Sequence, residues 1–127
     1  MGKKSLEFTI KQACNSLLLN KTVKLKHAEE LSLFDANSLF RCSDIIIIDV
    51  SKPMEGKAYH LGFLTALDKN VIFICEYECS YKIPEVQRFF DKKIPFIVYN
   101  EKIDSFFIFE LQSVMKKFLN SNPWNSL

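Results

Sequence analysis

Glycine, proline and histidine are scarce in this chain of 127 residues, which contains three Gly, four Pro and two His. The chain accordingly has no low-complexity tract, no linker and no internal repeat. Two histidines are few for a zinc site, and the spacing of Cys75 and Cys79 is not a strong zinc signature. We therefore expect neither a metal nor a cofactor.

An excess of one charge and long apolar runs are also missing. The net charge is only +2, which gives no basic stripe of the kind that nucleic acid requires. No window approaches 18 apolar residues, and the N-terminus has no apolar signal-peptide core, so we expect no membrane span. The four cysteines are expected to be buried free thiols of a cytoplasmic protein. They are Cys14, Cys42, Cys75 and Cys79.

What the chain does contain is typical of a soluble globular domain, with 48% hydrophobic and 25% charged residues. We expect residues 1–127 to form one domain with its own core, ending in a frayed tail over residues 120–127. Phe106, Phe107 and Phe109 lie near the start of the last predicted helix. They either form a surface for a homodimer or higher homo-oligomer, or simply pack on the sheet.

Helical and strand patterns alternate along the chain. Apolar spacing predicts helices over residues 5–19, 33–42, 57–68 and 84–91, and a final helix capped by Asp104. A strand over residues 6–10 is the alternative for the first. Ser32 is the expected N-cap of the second helix, with Asp35 as its acidic partner, and Pro84 suits the first position of the fourth.

Four strands are predicted, over residues 22–26, 45–50, 71–75 and 95–99. The second is an unbroken β-branched run, which is typical of a parallel strand covered on both faces. Strands that alternate with helices predict an α/β fold: a three-layer, flavodoxin-like (Rossmann-like) parallel sheet of four or five strands, with helices on both faces.

The loop after the second strand is the predicted ligand crevice, because open parallel sheets bind ligands at the carboxyl ends of their strands. Asp49 ends that strand and either faces the crevice or caps loop amides. Gly56 allows a close backbone approach, and Lys57 either contacts a phosphate or stays an exposed lysine. His60 falls in the first helical turn, which disfavours the charged imidazolium, so it is either a structural residue or a weak base.

Residues 44–72 resemble the core of the nucleoside 2-deoxyribosyltransferase superfamily, and most of all the 2'-deoxynucleoside 5'-monophosphate N-glycosidases. Those enzymes have an alanine–aspartate pair, an apolar strand, an acidic residue, a V-T-x-P-S-x-G loop and then Y-E-L-G. This chain has Ser43-Asp44, four isoleucines, Asp49, V-S-K-P-M-E-G and then Y-H-L-G, with no gap from Pro53 to Gly62. Residues 69–72, K-N-V-I, match the family's G-K-P-V-I entry to the next strand.

The resemblance implies a small-molecule ligand, a nucleoside or nucleotide, and a homo-oligomer. In the family, the glutamate of Y-E-L-G supplies the carboxylate for cleaving the N-glycosidic bond, and His60 takes its position here. The implied catalytic residues are His60, Asp49, which would orient the sugar hydroxyls, and Glu55, which could reach the anomeric carbon. The implied substrate-binding residues are Ser51, Pro53, Gly56, Lys57 and Tyr59.

Several family features differ in this chain. Met54 replaces a serine that helps to hold the 5'-phosphate, and Asp35 is out of register with a family carboxylate. The family's first strand and its Gly-Pro loop have no counterpart in residues 1–21. Two functions therefore stay open: an N-glycosidase or 2-deoxyribosyltransferase, and a catalytically inactive nucleotide-sensing or protein-interaction module. The Y-H-L-G version also resembles the TIR-like sensor regions of certain MAP kinase kinase kinases.

Overall fold

The computed structural model describes residues 2–16, 22–52, 70–82, 84, 94–100 and 105–121. In these residues the helices are α1 (Gly2–Ser16), α2 (Leu33–Cys42) and α3 (Ser105–Ser121). The strands are β1 (Val23–His27), β2 (Ile45–Asp49), β3 (Asn70–Glu76) and β4 (Phe96–Tyr99). Short 3₁₀ helices follow β1 (Ala28–Glu30) and β3 (Tyr77–Lys82).

The local predictions that fall on these residues are confirmed. Each of the four strands forms within two residues of its predicted bounds, and the first segment is a helix rather than a strand. Ser32 caps α2 as predicted. Its Oγ accepts a hydrogen bond from the Asp35 backbone N–H, and the Asp35 carboxylate accepts one from the Ser32 N–H. This reciprocal pair fixes where the helix begins.

Some sequence predictions fall on residues outside the described part of the chain. These are the helix over residues 57–68, the helix over residues 84–91 apart from Pro84 itself, the Asp104 cap, and residues 122–127 of the tail. Residues 120 and 121, which we expected to belong to the frayed tail, are instead the last two residues of the final helix.

The four strands form one sheet in which every neighbouring pair is parallel. The predicted α/β class and its three-layer architecture, a parallel sheet with helices on both faces, are therefore confirmed, although the order of the described strands is not the flavodoxin order that we expected. The strands lie in chain order, β1-β2-β3-β4. A flavodoxin sheet places its first strand inside and reverses its order there. Because the described strands show no such reversal, the carboxyl edge itself, rather than a switch point, locates the candidate site.

Two apolar clusters cover the two faces of the sheet. On one face, α2 and the segment after β1 pack on side chains from β2 and β3, centred on Ile46, Ile48 and Phe73. On the other face, α1 and α3 pack on the alternate side chains of the strands. That cluster contains Leu6, Ile10, Ala13, Ile45, Ile47, Ile72, Ile74, Ile97, Tyr99, Phe107, Leu111 and Met115. Both faces of β2 are buried, as its β-branched run predicts.

The cysteines are free thiols, as expected, but not all are buried. Cys42 is exposed, so its predicted burial is wrong. At about 100° per residue, Cys42 lies about 120° around the helix from the buried Ala36, outside the apolar stripe. Cys75 is buried within β3, and burial raises the pKa of the half-buried Cys14 thiol. Among the described helices, none combines the length and apolarity needed to cross a membrane.

Candidate functional site

Polar side chains meet at the carboxyl edge of the sheet, where the four strands end. The strand register pairs His27 with Asp49, and Glu76 with Tyr99. Each of these four residues is the last of its strand. Because the strands are parallel, their carboxyl ends are brought to one edge, which is where open α/β sheets bind ligands.

Asp49 is the centre of this group, and its residue is only 3% exposed. Its Oδ1 accepts hydrogen bonds from the Ser51 backbone N–H at 2.9 Å and from Ser51 Oγ at 2.6 Å. Its Oδ2 accepts a hydrogen bond of 2.5 Å from the Tyr99 hydroxyl. Three of the roughly four acceptor positions of the carboxylate are therefore filled from within the protein.

Ser51 extends the network to the neighbouring strand. Its Oγ accepts a hydrogen bond of 2.8 Å from the backbone N–H of Glu76 while it donates to Asp49. One hydroxyl thus connects the start of the loop after β2 with the end of β3. The backbone of Val50 adds a second link, since its N–H donates to the Ile74 carbonyl at 2.9 Å. The first residues of the predicted crevice loop are held firmly in place.

Tyr99, the last residue of β4, joins the network through its hydrogen bond to Asp49. Its ring meets Phe107 of α3 edge to face, with the ring centroids 5.8 Å apart. Burial raises the pKa of the Tyr99 phenol far above its ordinary value, and the hydrogen bond to Asp49 raises it further. Tyr99 is therefore a neutral hydrogen-bond donor at physiological pH and does not act as a base.

His27 approaches Asp49 from β1. Its Nδ1 lies 3.8 Å from Asp49 Oδ2, and the histidine side chain is 16% exposed. This distance is too long for a hydrogen bond but allows an ion pair when the imidazole is protonated. His27 and the exposed Glu76 are both ionisable groups at this edge that solvent can reach.

Hydrogen bonds within the protein hold the side chains of Asp49, Ser51 and Tyr99 in place at this edge. Asp49 and Ser51 make hydrogen bonds with each other, and also with Tyr99 and Glu76, so the printed contacts of both side chains are with other groups of the protein. Within the described ranges, no group of three or more His, Cys, Asp or Glu side chains is arranged to hold a metal ion.

Of the sequence-predicted site residues, the structure describes two. Asp49 and Ser51 are brought into direct contact, and Asp49 adopts the loop-capping alternative, since it accepts the Ser51 N–H. Their roles toward a ligand stay predictions. The others lie outside the described residues. They are His60, Glu55, Pro53, Gly56, Lys57 and Tyr59.

Sequence reasoning missed His27, Glu76 and Tyr99 as members of this site. A signal was present, because each is a polar or amphipathic residue that ends an alternating or apolar strand pattern. In a parallel sheet such residues meet at the carboxyl edge. Applying that rule to every strand, rather than to β2 alone, would have found all three.

Comparison with models of known protein families, with curated proteins and with solved structures gave no match to this chain. The likeness to the deoxyribosyltransferase superfamily therefore rests on residues 44–72 alone.

Proposed function

We propose that this protein binds a nucleoside or a nucleoside 5'-monophosphate at the carboxyl edge of its sheet, as a member of the nucleoside 2-deoxyribosyltransferase superfamily. Two independent features support the proposal. The sequence of residues 44–72 resembles that superfamily, and the open parallel sheet has its polar cluster at the edge where such folds bind ligands.

The observation that carries the proposal is the bidentate contact of Ser51 with Asp49. The loop that bears the family motif begins at this point, and both ends of Ser51, its N–H and its hydroxyl, are held by one buried carboxylate. A loop that is fixed before the ligand arrives loses less conformational entropy on binding. The Asp49 network therefore supports a fixed starting point at Ser51 for the proposed binding loop.

A second candidate is cleavage or transfer at the N-glycosidic bond, which the ungapped motif from Pro53 to Gly62 favours. The reaction needs a negative group near the anomeric carbon, where positive charge develops. The side chain of His60 carries no negative charge in either protonation state, so it supplies no such group. We therefore place ligand binding without the reaction first, and cleavage, with Glu55 as its carboxylate, second.

Both candidates are tested with the 2'-deoxynucleoside 5'-monophosphates. A thermal-shift panel measures binding, and chromatography of the free base measures cleavage, for the wild type and for His60→Glu. We expect a rise in melting temperature with at least one nucleotide, no base release by the wild type, and release by His60→Glu. No thermal shift with any nucleotide would contradict the binding function. Base release by the wild type would establish the second candidate in place of the first.

We also propose that the protein forms a homodimer through the outer surface of α1 and α3. Phe8 on α1 and Phe106 and Phe109 on α3 are between 62% and 67% exposed, although phenylalanine is usually buried. The two helices pack side by side, and Gln112 of α3 donates a hydrogen bond to the Ala13 carbonyl of α1. Exposed apolar side chains on one helical layer are typical of a protein contact.

A further inference from the structure

His27 is partly open to solvent and lies beside the buried Asp49 at the carboxyl edge of the sheet. The two residues are in register, and each is the last residue of its strand. Two and four positions earlier, both strands contribute apolar side chains to the cluster beneath α1 and α3. Because side chains alternate along a strand, His27 and Asp49 continue these two rows on the same face of the sheet.

The imidazole of His27 has one polar contact among the described residues. Its Nδ1 lies 3.8 Å from Asp49 Oδ2, and the side chain is 16% exposed. Asp49 accepts two hydrogen bonds at Oδ1 and one at Oδ2, so its remaining acceptor position is on the oxygen that His27 approaches. Contacts of this kind are often long in a ligand-free site and shorten when the ligand binds.

Asp49 also determines which ring nitrogen carries the hydrogen when His27 is neutral. A carboxylate only accepts hydrogen bonds, so it favours the tautomer with the hydrogen on Nδ1. The other nitrogen, Nε2, then has a lone pair and is a hydrogen-bond acceptor. Buried carboxylates hold functional histidines in their correct tautomer and orientation in the same way.

We infer that His27 is a ligand-binding residue, and that its Nε2 accepts a hydrogen bond from the sugar 3'-hydroxyl of the bound nucleotide. The inference deepens the proposed function and rests on it. The negative charges of Asp49 and of the exposed Glu76 disfavour a phosphate beside the ring, whereas a hydroxyl is a neutral donor. The 3'-hydroxyl is the one hydroxyl group that all four 2'-deoxynucleoside 5'-monophosphates share.

This assignment gives each oxygen of the Asp49 carboxylate its own neighbours. Oδ1 holds Ser51, and Oδ2 is approached by Tyr99 and by His27. Tyr99 and His27 come from opposite sides, because β1 and β4 lie on opposite sides of β2 in the sheet. Asp49 is then a positioning residue, and His27 is the residue that contacts the ligand.

The main test is a cycle of two proteins and two sets of ligands. The 2'-deoxynucleoside 5'-monophosphates and their 2',3'-dideoxy counterparts are titrated into the wild type and His27→Asn. Asparagine keeps an amide donor close to the position of Nδ1 but has no atom at the position of Nε2. We expect the wild type to bind the deoxynucleotide about tenfold more tightly than the dideoxynucleotide, as the loss of one hydrogen bond produces.

His27→Asn should bind the deoxy and dideoxy nucleotides with equal affinity. Lys24→Gln is the matched control, since Lys24 is exposed on the same strand, and it should keep the preference of the wild type. Equal affinities for the two ligands in the wild type, or a preference that His27→Asn retains, would overturn the inference.

Nitrogen-15 NMR of the imidazole is a second arm that uses the wild type itself. The chain has two histidines, so the His27 signals are those that disappear in His27→Asn. At about pH 8, above the usual titration range of histidine, we expect the hydrogen on Nδ1 and a shift of the Nε2 signal when the nucleotide binds. A hydrogen on Nε2 in the free protein, or an Nε2 signal that does not move, would overturn the inference.

The outcomes separate the inference from the proposed function. Nucleotide binding that does not depend on the 3'-hydroxyl or on His27 removes only the inference. Absence of binding by the wild type with every nucleotide contradicts both.

Discussion

Asp49 and Tyr99 are fifty residues apart in the chain, and the Tyr99 hydroxyl donates a hydrogen bond of 2.5 Å to Asp49 Oδ2. The bond crosses over β3, which lies between β2 and β4 in the sheet. Together with Ser51, it ties three strands at the edge where we propose that the ligand binds.

Asp49→Asn should destabilise the protein by about 2–4 kcal/mol. The NH₂ group of asparagine is a donor, and it would face either the Tyr99 hydroxyl or the Ser51 donors, so at least one buried hydrogen bond is lost. The matched control is Asp44→Asn at the opposite end of β2. Asp44 is exposed and accepts one hydrogen bond, from the Thr22 N–H. Denaturant unfolding measures both, and an equal loss in the two variants would contradict a central role for Asp49.

Tyr99→Phe should lower the free energy of unfolding by about 1–2 kcal/mol at neutral pH, since it removes the donor to Asp49 but keeps the ring contact with Phe107. The difference should depend on pH. Folding raises the pKa of Tyr99 above its ordinary value of 10.0. The tyrosine's contribution is therefore complete below about pH 10 and shrinks as the pH rises above it, because the unfolded phenol ionises first.

Unfolding of the wild type and Tyr99→Phe from pH 7 to pH 11 measures this effect. Tyr77→Phe, at an exposed position, is the control and should follow the wild type throughout. A stability gap between the wild type and Tyr99→Phe that is constant through pH 11 would contradict the buried, protonated phenol.

Ser51→Ala should destabilise the protein by about 1–2 kcal/mol, because it breaks the bridge from Asp49 to the Glu76 N–H. Ser32→Ala should lose about 1 kcal/mol through the α2 cap. The two serines give variants of similar stability that differ in their distance from the site. Chemical denaturation checks both, and an unchanged midpoint for Ser51→Ala would argue against the bridge.

Substitution of a buried phenylalanine on α3 should lower stability, whereas substitution of an exposed one should weaken association. Phe107 is 1% exposed, and Phe107→Ala should cost about 3–5 kcal/mol through the cavity that it leaves. Phe109→Ser should leave the fold intact and weaken the dimer. Sedimentation velocity at several concentrations measures association. A monomeric wild type, or a Phe109→Ser variant that dimerises equally well, would contradict the proposed interface.

Much of this fold could be predicted because the local sequence signals specify the same helices and strands that form in the packed structure. The β-branched run of β2 and the capping residues Ser32 and Asp35 both specify the structure that forms. The order of the strands could not be predicted in this way, since sequence periodicity does not encode which strands are neighbours.

The site was predicted only in part, for a similar reason. Asp49 and Ser51 are close in sequence, so a motif can reveal both. Tyr99 and His27 join them through pairing of the strands, which places residues far apart in the chain next to each other.

The most direct test of the account is calorimetric titration of the four 2'-deoxynucleoside 5'-monophosphates into the wild type, Ser51→Ala and Ser32→Ala. We predict saturable binding of at least one nucleotide at a single site per chain. Ser51→Ala should weaken that binding about tenfold, and Ser32→Ala, which is destabilised away from the site, should not. No saturable binding by the wild type, or equal affinity in Ser51→Ala, would contradict nucleotide binding at the edge that Asp49 organises.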